Sequence, residues 1–261
     1  MKMDPNQIIS SGIDVYNSLP LSTQEAMLNP AAKTLGEALN GAATVICSPL
    51  IILGAVSKPL LKKFSTEIDN KINKIPSENR DISKLGLVIK AMEESRYQLN
   101  KDDIRKMYVN LISSTVDNRK NAVVNPRLAT VVAQFGQKEA EFLKIIYQQH
   151  LHQMPFGYLV IKNDKNATTR KITNCLYSTD DESYLFGKDE TIDIFNSLGI
   201  IESQQDSWLF SPIYESRYQA LENILKQKVH ISLGENENLK LNKCYLRLNS
   251  FGSSLCHCIF E

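Results

Sequence analysis

Residues 137–161 read QKEAEFLKIIYQQHLHQMPFGYLVI, and within them the apolar period changes. Ala140, Leu143, Ile146 and Tyr147 recur at spacings of three and four, the stripe of an amphipathic helix running from Gln137 to about Leu151. After Pro155 the run Phe156-Gly-Tyr-Leu-Val-Ile161 is aromatic and β-branched, which favours strand. The residues before the change read as helix, and those after it mix helix with strand. The fold expected is α+β, mainly α: a helical domain over 1–135, then a winged-helix-like α+β domain over 136–261.

Toward the N-terminus, Ile104, Met107, Tyr108, Leu111 and Ile112 form a full amphipathic stripe, with Asn100 to Asp103 supplying a cap and negative charge at its start. Leu60, Leu61, Phe64, Ile68, Ile72 and Ile75 mark a helix from about Pro59 to Lys74, ended by Pro76. Ile82 to Leu99 and residues 127–135 add two more, while shorter helices are expected over 8–18 and 30–39. Toward the C-terminus, 162–189 is polar and reads as loop or irregular helix. A short helix over 190–198 ends at Gly199, suited to a left-handed cap. Ile200-Ile-Glu202 and Trp208-Leu-Phe210 flank a turn, a hairpin pattern in which Trp208 serves packing. Helix is expected again over 214–228. A second strand pair is expected from Val229–Leu233 and Tyr245–Leu248, and a final helix from Ser250.

Residues 38–57, ALNGAATVICSPLIILGAVS, carry no charge over a length that would span a bilayer as a helix. Asn40, Thr44, Ser48, Pro49 and two glycines dilute the run below a constitutive span. Two readings stay open. One is a packed helix pair broken at Pro49. The other is a membrane-seeking segment whose candidate contacts are Val45, Ile46, Leu50, Ile51, Ile52 and Leu53, with Lys58, Lys62 and Lys63 as a cytoplasmic flank.

Thirty Lys+Arg against 29 Asp+Glu in 261 residues exclude a polybasic nucleic-acid tail and an acidic disordered chain. The balance is uneven: residues 1–130 carry +4 and residues 131–261 carry −3. Five scattered cysteines and a start without an apolar signal core point to a reducing cytoplasm. Any membrane contact would then be peripheral, at the inner face.

No catalytic motif is complete. Gly187-Lys188 is followed by Asp189, so no phosphate loop forms, and no G-x-S-x-G is present. None of His150, His152, His230 or His257 has an Arg four to six residues before it, as helical ribonucleases require. Asp69-Asn-Lys71 sits in a helical pattern rather than on the strands a metal nuclease uses, and Asp180-Asp-Glu182 reads as a solvated loop. Cys256-His-Cys258 leaves one residue between thiols, poor geometry for zinc. No metal or cofactor is expected. The helix beginning at Asp189 would be the recognition helix of a winged domain, yet it is acidic and would repel phosphates, which disfavours nucleic acid.

Three blocks in order carry a family resemblance. They are Asp103-Ile-Arg-Lys-Met-Tyr-Val-Asn-Leu-Ile-Ser-Ser114, Asn125-Pro126 with Val131-Val132, and Gln137-Lys-Glu-Ala-Glu-Phe-Leu143. Pro155, Leu198-Gly-Ile-Ile-Glu202, and Leu248 with Phe251-Gly252 continue the pattern. The chain resembles the abortive infection alpha family, bacterial proteins associated with phage defence. The resemblance implies defence by growth arrest or death of the infected cell, and carries over no catalytic residue. The expectation is a non-enzymatic effector or sensor triggered by a protein partner or phage component, with a homo-oligomer left open. A winged-helix nucleic-acid-binding regulator and an unrecognised nuclease are the alternatives.

Overall fold

A computed structural model describes residues 57–81 and 83–261. The expected helices at 8–18 and 30–39 and the uncharged stretch to Val56 lie outside the described residues. The fold is α+β and mainly α, with eight α-helices and one six-stranded antiparallel sheet among the described residues. Two compact units divide it. One holds the residues up to Gln137 together with Cys258–Glu261, and the other is Lys138–His257.

In the first unit, α1 (Lys58–Ile72) and α2 (Leu85–Ser95) pack on α3 (Asp102–Thr115), and α4 (Arg127–Val132) packs on α2 and α3. The periodic residues drive this. Phe64, Ile68 and Ile72 of α1 are buried, as are Ile104, Met107, Tyr108, Leu111 and Ile112 of α3. Each such side chain withdrawn from water contributes roughly 1.5–3 kcal/mol before conformational entropy is subtracted. Asp102 and Asp103 lie in the first turn of α3, where negative charge meets the positive end of the helix dipole. The residue before that turn is Lys101, and it makes no side-chain cap.

Among the described residues of this unit, two buried ones are charged, Arg105 and Asp117. Arg105 is 1% exposed, and each of its three guanidinium nitrogens has a partner. Nε donates to Glu67 Oε2 at 2.9 Å, Nη2 to Glu67 Oε1 at 3.3 Å and Nη1 to the Leu99 carbonyl at 3.1 Å. Nη1 also meets Asp102 at 2.5 Å. Burial opposes the guanidinium's charge, but the two carboxylates outweigh it and hold the group above its ordinary pKa. The last turn of α8 (Ser250–Phe260) closes the unit: Asn110 Nδ2 donates to the Ile259 carbonyl at 2.8 Å, and the Ser114 hydroxyl donates to the Cys258 carbonyl at 3.1 Å.

In the second unit, α5 (Gln137–Gln148) leads to β1 (Gln153–Asn163). The sheet runs β4 (Tyr184–Phe186), β3 (Leu176–Ser178), β1, β6 (Glu237–Leu248), β5 (Ile201–Gln204), and β2 (Thr169–Lys171) also pairs with β1. α6 (Asp189–Ser197) packs on β5 and is followed by Gly199 at φ 65, the left-handed position expected of it. α7 (Pro212–Gln227) starts from a Ser211 cap with Pro212 in its first turn. It covers one face of the sheet, where Tyr218, Leu221 and Leu225 pack with Leu159 and Leu176. Strand alternation puts Phe156 and Tyr177 on the opposite face, and Phe142 of α5 meets Tyr177 edge-on at 5.6 Å there.

Three expected strand assignments are corrected. Trp208-Leu-Phe210 forms no strand, and β5 pairs instead with the end of β6, Ile201 opposite Leu248. Val229–Leu233 forms no strand either, with Ile231 and Leu233 exposed, and Tyr245–Leu248 is the end of a twelve-residue strand paired with β1. The polar 162–189 stretch holds β2, β3 and β4. The hairpin behind the winged-helix expectation is therefore not formed.

Candidate functional site

The register of β1 against β6 places Tyr158 opposite Asn242, and a polar cluster in the second unit grows from that pair. Asn242 Nδ2 donates to the Tyr158 hydroxyl at 2.9 Å and to the Gln205 carbonyl at 3.0 Å. Lys171 Nζ lies 4.6 Å from the centre of the Tyr158 ring. The same ammonium reaches Asp189 Oδ2 at 3.1 Å and Cys175 Sγ at 3.5 Å, and the Tyr177 hydroxyl donates to Asp189 Oδ1 at 3.4 Å.

Burial works against the Asp189 carboxylate, but hydrogen bonds from Cys175 and Lys171 outweigh it, holding its pKa below the ordinary value. Burial likewise works against the Lys171 ammonium, and Asp189 more than compensates, so that pKa is raised. Burial, with the Asp189 carboxylate beside it, pushes the Cys175 thiol up to about 11. Burial pushes the Cys244 thiol up to about 12. A thiol must ionise to attack, so neither cysteine is poised as a nucleophile at neutral pH.

Asn242 connects this cluster to a surface cleft of about 400 Å³ lined by Gln205, Asp206, Trp208, Leu241, Asn242 and Lys243. Lys243 is held by both carboxylate oxygens of Glu215, at 2.7 and 2.8 Å. Trp208 is 39% exposed rather than packed, and its ring lies 5.0 Å from that of Phe210, itself 82% exposed. The two rings put exposed aromatic surface beside the cleft, of the kind that marks contact surfaces. The cleft offers an aromatic wall, amide groups, the Asp206 carboxylate and a paired cation.

Of the residues singled out in the sequence, Val45, Ile46, Leu50, Ile51, Ile52 and Leu53 lie outside the described residues. Lys58 opens α1, and Lys62 and Lys63 are exposed on it, Lys63 Nζ lying 3.5 Å from Asp102. Among the described residues no helix is long and apolar enough to cross a membrane. No group of three or more metal-ligating side chains occurs among them. Asp69 and Lys71 do lie within α1. Asp180 pairs with Arg217 at 2.7 Å and Asp181 accepts from Thr179, so that acidic run is engaged with its own surroundings. His152 stacks on Tyr147 at 4.6 Å and bonds its carbonyl.

Lys171, Cys175, Asp189, Tyr158 and Asn242 were not grouped by sequence: the β1–β6 register brings Asn242 to Tyr158 across 84 residues, and Lys171 reaches Asp189 from β2 to α6. The pair of exposed aromatics just before α7 was the one local signal present. The model of the family described as abortive infection alpha matches residues 58–259. No curated protein and no solved structure matches the chain.

Proposed function

The chain belongs to the abortive infection alpha family, and from that premise we propose that it is an anti-phage effector or sensor acting through protein contacts rather than by catalysis. The observation carrying this reading is the cleft with its exposed Trp208 and Phe210, since exposed aromatics at a concave rim are what protein interfaces anchor on. The Cys244 thiol, which contacts the lining residue Asn242, is kept protonated by burial, in keeping with binding rather than thiolate chemistry.

Trp208→Ala combined with Phe210→Ala tests the reading. Expressed at the natural level in a bacterium challenged with phage, the variant should lose protection while its circular dichroism stays that of the unaltered chain. Protection retained in a folded variant would remove this surface from the mechanism.

A membrane component belongs to the same proposal and rests on the uncharged run of residues 38–57 followed by Lys62 and Lys63, exposed on α1. Aspartates at Ile51 and Leu53 should abolish the effect while leaving the second unit folded. Toxicity that survives both charges, or a membrane potential unchanged under challenge, would sink this component.

A further inference from the structure

β6 is paired on its two sides very unequally. β1 runs along it from Glu237 to Arg247, whereas β5 pairs with Tyr245 to Leu248 alone. The direction of the remaining backbone groups can be read from β1. The Leu159 amide donates to Thr173 Oγ1 and its carbonyl accepts from Ile172, so both point away from β6. In an antiparallel pair a residue and its opposite number point their groups the same way, toward or away from each other. Leu241, opposite Leu159, therefore turns its N–H and C=O outward, and so do Leu239 and Lys243. No hydrogen bond within the described residues takes these groups. They form a ladder at every second residue, and the cleft lies where β5 leaves it.

The side chains on this edge discriminate between occupants. Asn238-Leu-Lys-Leu-Asn242 reads the same in both directions, so two copies pairing antiparallel would centre on Lys240. Lys240 is exposed and has no partner among the described residues. Its own backbone groups point to β1, so a residue placed opposite it on the outer side would sit in the non-hydrogen-bonded position, where facing side chains come closest. A second copy would set ammonium against ammonium there. An acidic side chain would instead complete an ion pair.

We propose that the outer edge of β6 receives an extended segment of another protein as an added strand, with an acidic residue opposite Lys240 and apolar residues beside Leu239 and Leu241. This rests on the reading that the chain works through protein contacts, and names the surface and the partner's chemistry.

The probe is a blocked Thr-Val-Glu-Val-Thr peptide, titrated by fluorescence anisotropy against the full chain, with amide exchange of Leu239, Leu241 and Lys243 followed by NMR. Binding should be saturable and protect those three amides. Lys240→Glu should weaken it about tenfold, the change from attraction to repulsion across a close strand pair, and a Thr-Val-Lys-Val-Thr peptide should recover the loss. Leu239→Pro should abolish binding by removing an outward donor, while Leu239→Ala keeps it.

Absence of protection, binding indifferent to the charge exchange, or a dimer by light scattering that Leu239→Pro dissolves would each overturn the proposal. The charge exchange is at an exposed position and decides the matter even if the proline variant fails to fold. Peptide binding by a chain that gives no phage protection would uphold this edge and remove the defence reading. Protection without peptide binding would do the reverse.

Discussion

Replacing Arg105 by Met tests whether an ionic cluster organises the first unit. The guanidinium is almost fully buried, while the side chain of its main partner Glu67 is 28% exposed. Breaking a buried pair by removing one partner costs about 3–5 kcal/mol, because the other charge stays behind without a counterion. Glu67 retains some water, which lowers that figure, but the Leu99 carbonyl loses its donor, adding about 1–3 kcal/mol where no water replaces it. A loss of about 3 kcal/mol is expected for Arg105→Met.

The decisive variant is the double replacement with Glu67→Met. If the stranded carboxylate dominates the loss, removing it should restore stability, and the pair should cost less than Arg105→Met alone. Urea unfolding followed at 222 nm reports the helices of the chain, while Trp208, the single tryptophan, reports the second unit in the same titration. Additive losses in the double variant, or an Arg105→Met loss under about 0.5 kcal/mol, would refute the account.

Other outcomes rest on equally local features. A Cβ at Gly252 would enter the van der Waals shell of the Ile200 carbonyl, whose carbon would lie at 2.9 Å, so Gly252→Ala should destabilise by about 3 kcal/mol despite alanine's better helix propensity; chemical denaturation measures it. The Tyr108 hydroxyl is buried without a hydrogen-bond partner among the described residues, so Tyr108→Phe should raise stability by up to about 1 kcal/mol; a loss would mean that the hydroxyl is satisfied. Asp117 accepts from the Arg119 guanidinium at 2.8 and 2.6 Å, and these bonds outweigh burial to hold its carboxyl below the ordinary value. Its contribution is present above the unfolded-state pKa of about 3.9 and is lost as pH falls through the lower folded value. Asp117→Asn should therefore be less stable at neutral pH and show a shallower acid limb in a midpoint-versus-pH series.

The helices were legible because their burial is local and periodic: each apolar residue of α3 that fits the stripe is buried. β6 was legible over its last residues alone, for a reason visible in its side chains. Leu239 and Leu241 pack beside the α7 cluster, while Cys244, Leu246 and Leu248 are buried on the alternate parity. The apolar phase slips by one within the strand, and an alternation test sees two fragments. Val229, Ile231 and Leu233 alternate cleanly and form no strand, since nothing among the described residues pairs with them. Arg105 gave no warning, because a charge inside an apolar stripe becomes buried through Glu67, 38 residues away. The polar cluster was hidden likewise, as its members come from β1, β2, β6, α6 and the segments between them.

The return of Cys258–Glu261 to the first unit sets an order of events during synthesis. The carbonyls of Cys258 and Ile259 that Ser114 and Asn110 use are made after the 120 residues of the second unit. A nascent chain therefore carries its helical unit incomplete until the α+β unit has emerged from the ribosome. Translation arrested anywhere within the second unit leaves those two donors on α3 waiting for acceptors. The helical unit, begun first, is thus completed only once the unit after it has been made.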